Sequence, residues 1–153
     1  MGRRSAAKIA RTRGFRRPHG IAPVHLDTSF LIDLQRERER RQPGPCHRFL
    51  EQHAGLPMRI SSVTAMEYLE GFPDSDLPGQ LPFLSAFDRV AVDFPESLQA
   101  SRIRRYLRSA GELLPDADIL IAACAIHQNE PLVTDNTDHF RRIPGLQLLS
   151  YKS

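Results

Sequence analysis

Four acidic residues stand where their carboxylates can act together: Asp27, Glu67, Asp118 and Asp135. Asp27 and Asp135 each end a short apolar run, VHL and PLVT, while Glu67 and Asp118 lie near the starts of predicted helices. Carboxylates gathered in a cleft repel one another unless a cation neutralises them, and oxygen ligands suit Mg²⁺ or Mn²⁺. The set therefore predicts a divalent metal site that could activate water for hydrolysis.

Each acid also has an ordinary structural interpretation. Asp116 and Asp118 can stabilise the positive end of a helix, Asp27 can form a turn, and Asp135 can begin the turn DNTDHF. Acids at helix starts and strand ends are common, so no single one indicates a site. The metal hypothesis depends on the four being brought together.

Short apolar runs alternate with longer helical segments along the chain. The predicted strands are residues 21–26, 58–62, 89–93, 131–134 and 146–151. The predicted helices are residues 30–41, 46–54, 65–72, 81–87, 96–111 and 115–128, with a loop over 72–82. Strands separated by helices predict an α/β fold, with a mainly parallel four- to five-stranded sheet flanked by helices. Ligand sites in such sheets lie outside the carboxyl ends of the strands, which places Asp27 and Asp135 on one edge.

The net charge of +3 is unevenly distributed. Residues 1–20 contain seven of the 21 Lys and Arg and no acid, whereas the remaining 14 bases face 18 acids. We expect residues 1–20 to be a basic, disordered extension able to contact RNA phosphates, and residues 21–153 to fold as one domain. A targeting segment or a mis-assigned start codon would explain the same composition.

The composition also narrows the compartment and the chemistry. No apolar run approaches the roughly 18 residues of a membrane span, and only two cysteines occur, so we expect a soluble, cytoplasmic protein without a disulfide. The six histidines form no paired spacing with the cysteines, which argues against zinc. Phosphate-binding glycine motifs and the GxSxG motif are missing from the sequence.

Three segments together resemble a known family. VHLDTSFLIDL, SSVTAMEYLEGF and LLPDADILIAACAIHQNEPLVTDNTDHFRRIPGLQLLSY, in that order, look like the PIN domain and most like VapC-type toxins of toxin–antitoxin pairs. The resemblance covers about Val24 to Tyr151. It implies a PIN-like α/β/α sandwich and a Mg²⁺- or Mn²⁺-dependent endoribonuclease leaving 5′-phosphate ends. It also implies a homodimer and a small antitoxin partner.

The resemblance assigns roles residue by residue. Asp27 matches the first-strand acid of the family, Glu67 the helix acid and Asp118 the third acid, which leaves Asp116 as a helix-capping neighbour. Thr28 fits a supporting role, in which its hydroxyl holds a carboxylate or a water molecule.

The fourth position has several candidates. By distance from Thr134, itself a supporting residue, the family's fourth acid falls on Asn136, with Asp135 and Asp138 adjacent. Asp135 is the preferred fourth ligand because it directly follows the strand PLVT, and Asn136 and Asp138 remain supporting candidates.

Other interpretations stay open. Arg102, Arg105 and Arg108 could hold an RNA backbone or simply form a solvated helix face. A non-catalytic PIN fold that binds RNA or protein is the main alternative to a nuclease. A phosphotransfer domain is a further alternative, but the chain lacks the expected acidic pair and a well-placed lysine, its only lysines being Lys8 and Lys152.

Overall fold

The computed structural model describes Arg16–Arg17, Gly20–Ile21 and residues 23–153. The first of these segments, β1 (Arg16–Arg17), pairs antiparallel with β2 (Gly20–Ile21). This short pairing falls largely inside the extension that the sequence predicts to be disordered. The other residues of that extension lie outside the described part, so their disorder stays a prediction.

Five parallel strands form the central sheet, in the order β5-β4-β3-β6-β7. They are β3 (Val24–Leu26), β4 (Met58–Ser61), β5 (Asp88–Val90), β6 (Leu132–Val133) and β7 (Leu148–Leu149). The predicted first strand is therefore split between two sheets. Pro23, which separates the two pieces, has no amide hydrogen to donate to a strand pairing.

Seven α-helices flank this sheet in the described residues. They are α1 (Thr28–Glu39), α2 (Pro45–Gln52), α3 (Ser62–Leu69), α4 (Leu77–Leu84), α5 (Phe94–Ala110), α6 (Asp116–Gln128) and α7 (Thr137–Phe140). A 3₁₀ turn at Asp74–Asp76 precedes α4. The arrangement confirms the predicted α/β/α sandwich with a parallel sheet.

Two helices differ from the sequence prediction. The composition of residues 77–82 predicts a loop, but α4 begins at Leu77, because Pro78 sits in the first turn, where its missing N–H costs no helical hydrogen bond. The predicted turn DNTDHF contains the single-turn helix α7.

The hydrophobic core lies on both faces of the sheet. Val24 and Leu26 of β3 belong to the cluster that includes Phe30 and Leu31 of α1. Leu132 of β6 belongs to a second cluster, which contains the buried residues of α5 and α6. Since side chains alternate between the faces of a strand, each face has its own layer of helices.

Helix α6 is the most apolar helix of the second cluster, and six of its 13 residues are buried. Its buried residues are Ile119, Ile121, Ala122, Ala123, Cys124 and Ala125. Cys46 and Cys124 are both free and buried, as expected. Within the described residues, no helix has the length and apolar character needed to cross a membrane.

The packing of α5 on α6 gives a stability prediction. Leu107 is fully buried, whereas Leu98 on the same helix is 45% exposed. We expect Leu107→Ala to lower the free energy of unfolding by about 2–5 kcal/mol. Leu98→Ala, the matched control, should change it by about 0.5 kcal/mol or less. Urea unfolding followed by circular dichroism measures both, and equal losses would contradict this packing.

Candidate active site

Asp27 is the most buried acid of the site, with 5% of its surface exposed. It is the N-cap of α1, directly after β3, and its Oδ1 accepts the backbone N–H of Thr28 at 2.8 Å. Its Oδ2 accepts hydroxyl hydrogens from Ser29 at 3.0 Å and from Thr134 at 2.7 Å. The carboxylate therefore joins the carboxyl ends of β3 and β6 to the start of α1.

The charge of Asp27 is nevertheless unfavourable in this setting. Burial raises the pKa of Asp27 above its ordinary value, and the nearby charge of Asp118 raises it further, while the three hydrogen bonds oppose this effect. A divalent cation beside this carboxylate would remove that cost.

Glu67 reaches the same place from another helix. It lies in the second turn of α3, and its Oε1 accepts the Thr28 hydroxyl hydrogen at 2.6 Å. Burial raises the pKa of Glu67, and the charges of Asp118 and Asp27 add to the increase. Thr28 therefore contacts both acids, since its backbone N–H donates to Asp27 and its hydroxyl donates to Glu67, and its supporting role in a metal site stays a prediction.

Asp118 comes from the first turn of α6. Its side chain is 18% exposed, and its Oδ2 lies 3.1 Å from Nδ1 of His139, which belongs to α7. Because an ionised carboxylate only accepts hydrogen bonds, Nδ1–H is the donor in this contact. Asp118 acts electrostatically on both Asp27 and Glu67, so the structure brings three of the four predicted acids together.

Asp135, the preferred fourth ligand, has a different environment. Its Oδ2 lies 2.7 Å from Nζ of Lys152, and its side chain is 30% exposed. The backbone N–H of Asp135 donates to Ser29 Oγ at 3.4 Å, which keeps the residue beside the Asp27 network. Asp135 is therefore at the predicted edge, but its carboxylate is already paired with a protein cation.

The remaining candidates of the loop after β6 have separate positions. Asn136 donates its backbone N–H to Thr134 Oγ1 at 3.0 Å and precedes α7. Asp138 is 85% exposed and forms an ion pair with Arg141. Thr134 thus links Asn136 to Asp27, as a supporting residue should, while Asp138 points to solvent.

Asp116 was expected to cap α6, but its side chain makes no capping hydrogen bond. The N-cap is Pro115, and Asp116 is the first helical residue, where its charge still suits the positive helix end. Its side chain is 67% exposed and lies 3.4 Å from Arg104. Asp116 and Asp118 therefore have different partners although they share one helical turn.

Arg102, Arg105 and Arg108 are all exposed on α5. The buried residues of this helix, Ala100, Ile103 and Leu107, pack in the same cluster as α6. The three arginines are accessible to a ligand, and their role in RNA binding stays a prediction.

Three residues that contact the acids were not among the predicted site residues. Ser29 contacts Asp27, His139 contacts Asp118, and Lys152 contacts Asp135. His139 and Lys152 follow β6 and β7, whose carboxyl ends share the edge with Asp27. A search for polar residues after every predicted strand would have included both.

The donor set fits a hard divalent ion that keeps much of its water. In the part of the chain that the structure describes, no group of three or more His, Cys, Asp or Glu side chains has the arrangement of a metal site. Mg²⁺ does not need three protein ligands, since it is usually bound by one or two carboxylates and retains several water molecules. Asp27, Glu67 and Asp118 supply carboxylate oxygens of the kind that such an ion prefers, and the raised pKa values of Asp27 and Glu67 indicate charge that a cation would stabilise.

Comparison with known proteins decides the family. The PIN domain model matches residues 24–146. The chain belongs to the PIN domain family. Ribonuclease VapC1 of Methanocaldococcus jannaschii is 35% identical to it over 129 residues, which cover 84% of this chain and 86% of that protein. Ribonuclease VapC19 of Mycobacterium tuberculosis is 33% identical over 123 residues, covering 80% of this chain and 95% of that protein.

Solved structures give the same PIN domain fold. The crystal structure of DNA-bound VapBC from Salmonella typhimurium superimposes with a TM-score of 0.74 and 25% identity, covering 86% of this chain and 99% of the matched chain. Membership of the PIN family excludes the phosphotransfer alternative. Contrary to the expectation that the chain has no well-placed lysine, Lys152 lies beside the strand-end acid Asp135.

The elevated pKa of Glu67 gives a pH prediction for the metal-free protein. Since the folded state binds the Glu67 proton more tightly than the unfolded state, ionised Glu67 destabilises the fold at pH 7. We expect Glu67→Gln, which keeps an acceptor for Thr28, to raise Tm at pH 7 in the presence of a chelator. The gain should shrink as pH falls towards the ordinary glutamate value of 4.5, because Glu67 then becomes protonated in the folded wild type.

Thermal unfolding of both proteins across this pH range measures the effect. The control is Glu51→Gln, which changes an exposed glutamate on α2 and should give no comparable gain. A Glu67→Gln gain that stayed constant with pH would contradict the assignment of the effect to the Glu67 charge.

Proposed function

We propose that this PIN domain is a Mg²⁺- or Mn²⁺-dependent endoribonuclease and the toxin of a type II toxin–antitoxin pair. The observation that carries the proposal is the convergence of Asp27, Glu67 and Asp118, which have no Lys or Arg partner within the described residues. The similarity to two ribonucleases of the VapC type supports RNA as the substrate.

The three acids would hold the ion, which supplies a positive charge that activates water and stabilises the developing charge on the phosphate. The chain contributes the positions of the ligands. Thr28 fixes Glu67, and His139 fixes Asp118 through its Nδ1–H. Thr134 and Ser29 fix the oxygen of Asp27 that faces β6. These hydrogen bonds restrict where each carboxylate can lie, which is how supporting contacts preorganise a site.

The RNA would be bound by charge outside the acidic site. Arg102, Arg105 and Arg108 on α5 and the seven bases of residues 1–20 are the candidate phosphate contacts. We further propose a homodimer, a small antitoxin partner and a cytoplasmic location, where RNA is available. The VapBC complex from Salmonella typhimurium supports the antitoxin.

The metal site predicts which aspartates are essential. Loss of a residue that only supports a metal ligand typically reduces activity by about 10- to 100-fold. Asp27 and Asp118 are proposed as ligands themselves, so we expect Asp27→Asn and Asp118→Asn each to reduce RNA cleavage in Mg²⁺ by more than about 100-fold. Circular dichroism should show an intact fold. The matched control is Asp116→Asn, two residues from Asp118 and exposed, which should keep wild-type cleavage.

The same assay separates this proposal from a non-catalytic binding module. RNA binding without Mg²⁺-dependent cleavage by the wild type would favour the module. Normal cleavage by Asp27→Asn or Asp118→Asn would refute the assignment of the site.

The basic extension gives a prediction about salt. Removing residues 1–20 should leave cleavage and Tm nearly unchanged, because Asp27 is the first residue tied to the site. RNA binding should weaken, and the slope of log K against log salt concentration should fall in magnitude by roughly 0.7–0.9 for each phosphate that the extension neutralises.

The slope is measured by titrating one RNA with the full and the truncated chain over a series of salt concentrations. A variant with Arg102, Arg105 and Arg108 all replaced by Gln is measured for comparison. Superimposable slopes would show that the extension binds no phosphate, and a large fall in Tm would show that the fold begins earlier.

A further inference from the structure

The acidic site has two electrostatically different halves. Asp27, Glu67 and Asp118 form the first half, in which no Lys or Arg forms an ion pair with any of the three in the described part of the chain. Asp135 forms the second half, where Nζ of Lys152 lies 2.7 Å from its carboxylate. Negative charge is thus left uncompensated on one side only.

Lys152 bridges two carboxylates from different elements. Its Nζ lies 2.9 Å from Oδ2 of Asp33 on α1, in addition to its contact with Asp135 after β6. A compact ammonium group therefore supplies one positive charge to two carboxylates at this end of the site.

The position of Lys152 is fixed by its neighbour in the chain. Tyr151 is 5% exposed, and its ring packs edge-on against Phe30 of α1 with centroids 5.0 Å apart. The Tyr151 hydroxyl donates a hydrogen bond to Asp33 at 2.7 Å, so the Asp33 carboxylate contacts both Tyr151 and Lys152. Strand β7, which ends at Leu149, is hydrogen-bonded to Thr134 at 3.0 Å. The ammonium is therefore directed to Asp135 by ordered, partly buried structure.

We propose that Lys152 is a built-in cation that fills the Asp135 side of the cleft, so that this chain holds one divalent ion, on the side of Asp27, Glu67 and Asp118. A second ion at Asp135 would lie next to the ammonium group and would have to displace it from both Asp33 and Asp135. The inference rests on the proposed metal-dependent function, and it makes Lys152 the residue that sets the number of metal ions.

The test is metal stoichiometry measured on the full-length chain. Mn²⁺ is titrated by calorimetry, and free Mn²⁺ is counted in parallel by electron paramagnetic resonance. We expect the wild type to bind one Mn²⁺ per chain. Lys152→Met keeps the apolar stem and removes the charge, so it should bind two, and adding Asp135→Asn should return the count to one.

Two controls isolate the position of the charge. Lys152→Arg keeps a cation beside Asp135 and should bind one Mn²⁺. Arg141→Met removes the exposed partner of Asp138 on the neighbouring helix α7 and should also bind one. Circular dichroism and Tm verify that each variant folds, and Lys152→Gln replaces Lys152→Met if the latter does not.

The outcomes separate this inference from the proposed function. A wild type that binds two ions, or a Lys152→Met variant that still binds one, would overturn the built-in cation and leave the nuclease intact. A wild type that binds no Mn²⁺ and shows no metal-dependent cleavage would overturn both.

Discussion

The acidic site depends on one buried interaction, the contact of the Asp27 carboxylate with three hydrogen-bond donors. Its partners are the Thr28 backbone and the hydroxyls of Ser29 and Thr134, which belong to α1 and to the end of β6. Burying a neutral polar group without a hydrogen-bond partner costs roughly 2–7 kcal/mol, and an unpaired carboxylate costs more. The three hydrogen bonds therefore make a charged side chain tolerable at the edge of the core. They do not neutralise it, and the pKa of Asp27 stays raised.

The other acids are held at this point by helices that pack into the core. Asp118 is in the first turn of α6, and the fully buried run from Ile121 to Ala125 fixes the direction of that helix. Glu67 is adjacent to Tyr68, which is 2% exposed and belongs to the core cluster on the other face. The packing of these helices thus holds the carboxylates close together despite their mutual repulsion. Part of the free energy gained from packing is therefore spent on this repulsion.

The sequence predicted the features that depend on local patterns. Asp27 and Asp135 were placed correctly because apolar runs followed by polar turn residues identify strand ends, and the parallel sheet puts these ends on one edge. The contacts of His139 and Lys152 could not be predicted in the same way. They depend on where α7 and the chain after β7 fold back, which no periodicity encodes.

Element boundaries show the same division between local and tertiary information. Helix α6 was predicted within about one residue, since its long apolar run has only one plausible structure. Helix α4 was missed at its start because a segment with two prolines and a glycine has the composition of a loop. Its inward residue Leu84 packs in the core, and this tertiary contact outweighs the weak local preference.

A second buried acid, at the opposite edge of the sheet, has a cation as its partner. Glu130 precedes β6, at the amino end of the strand, and is 3% exposed. Its Oε1 lies 2.6 Å from the guanidinium of Arg59 on β4. The chain therefore pairs a buried carboxylate with arginine at the amino edge, and pairs Asp135 with Lys152 at the carboxyl edge. The same chain supplies cations to these acids and none to Asp27 or Glu67 among the described residues, and this remaining charge is what the proposed divalent ion would neutralise.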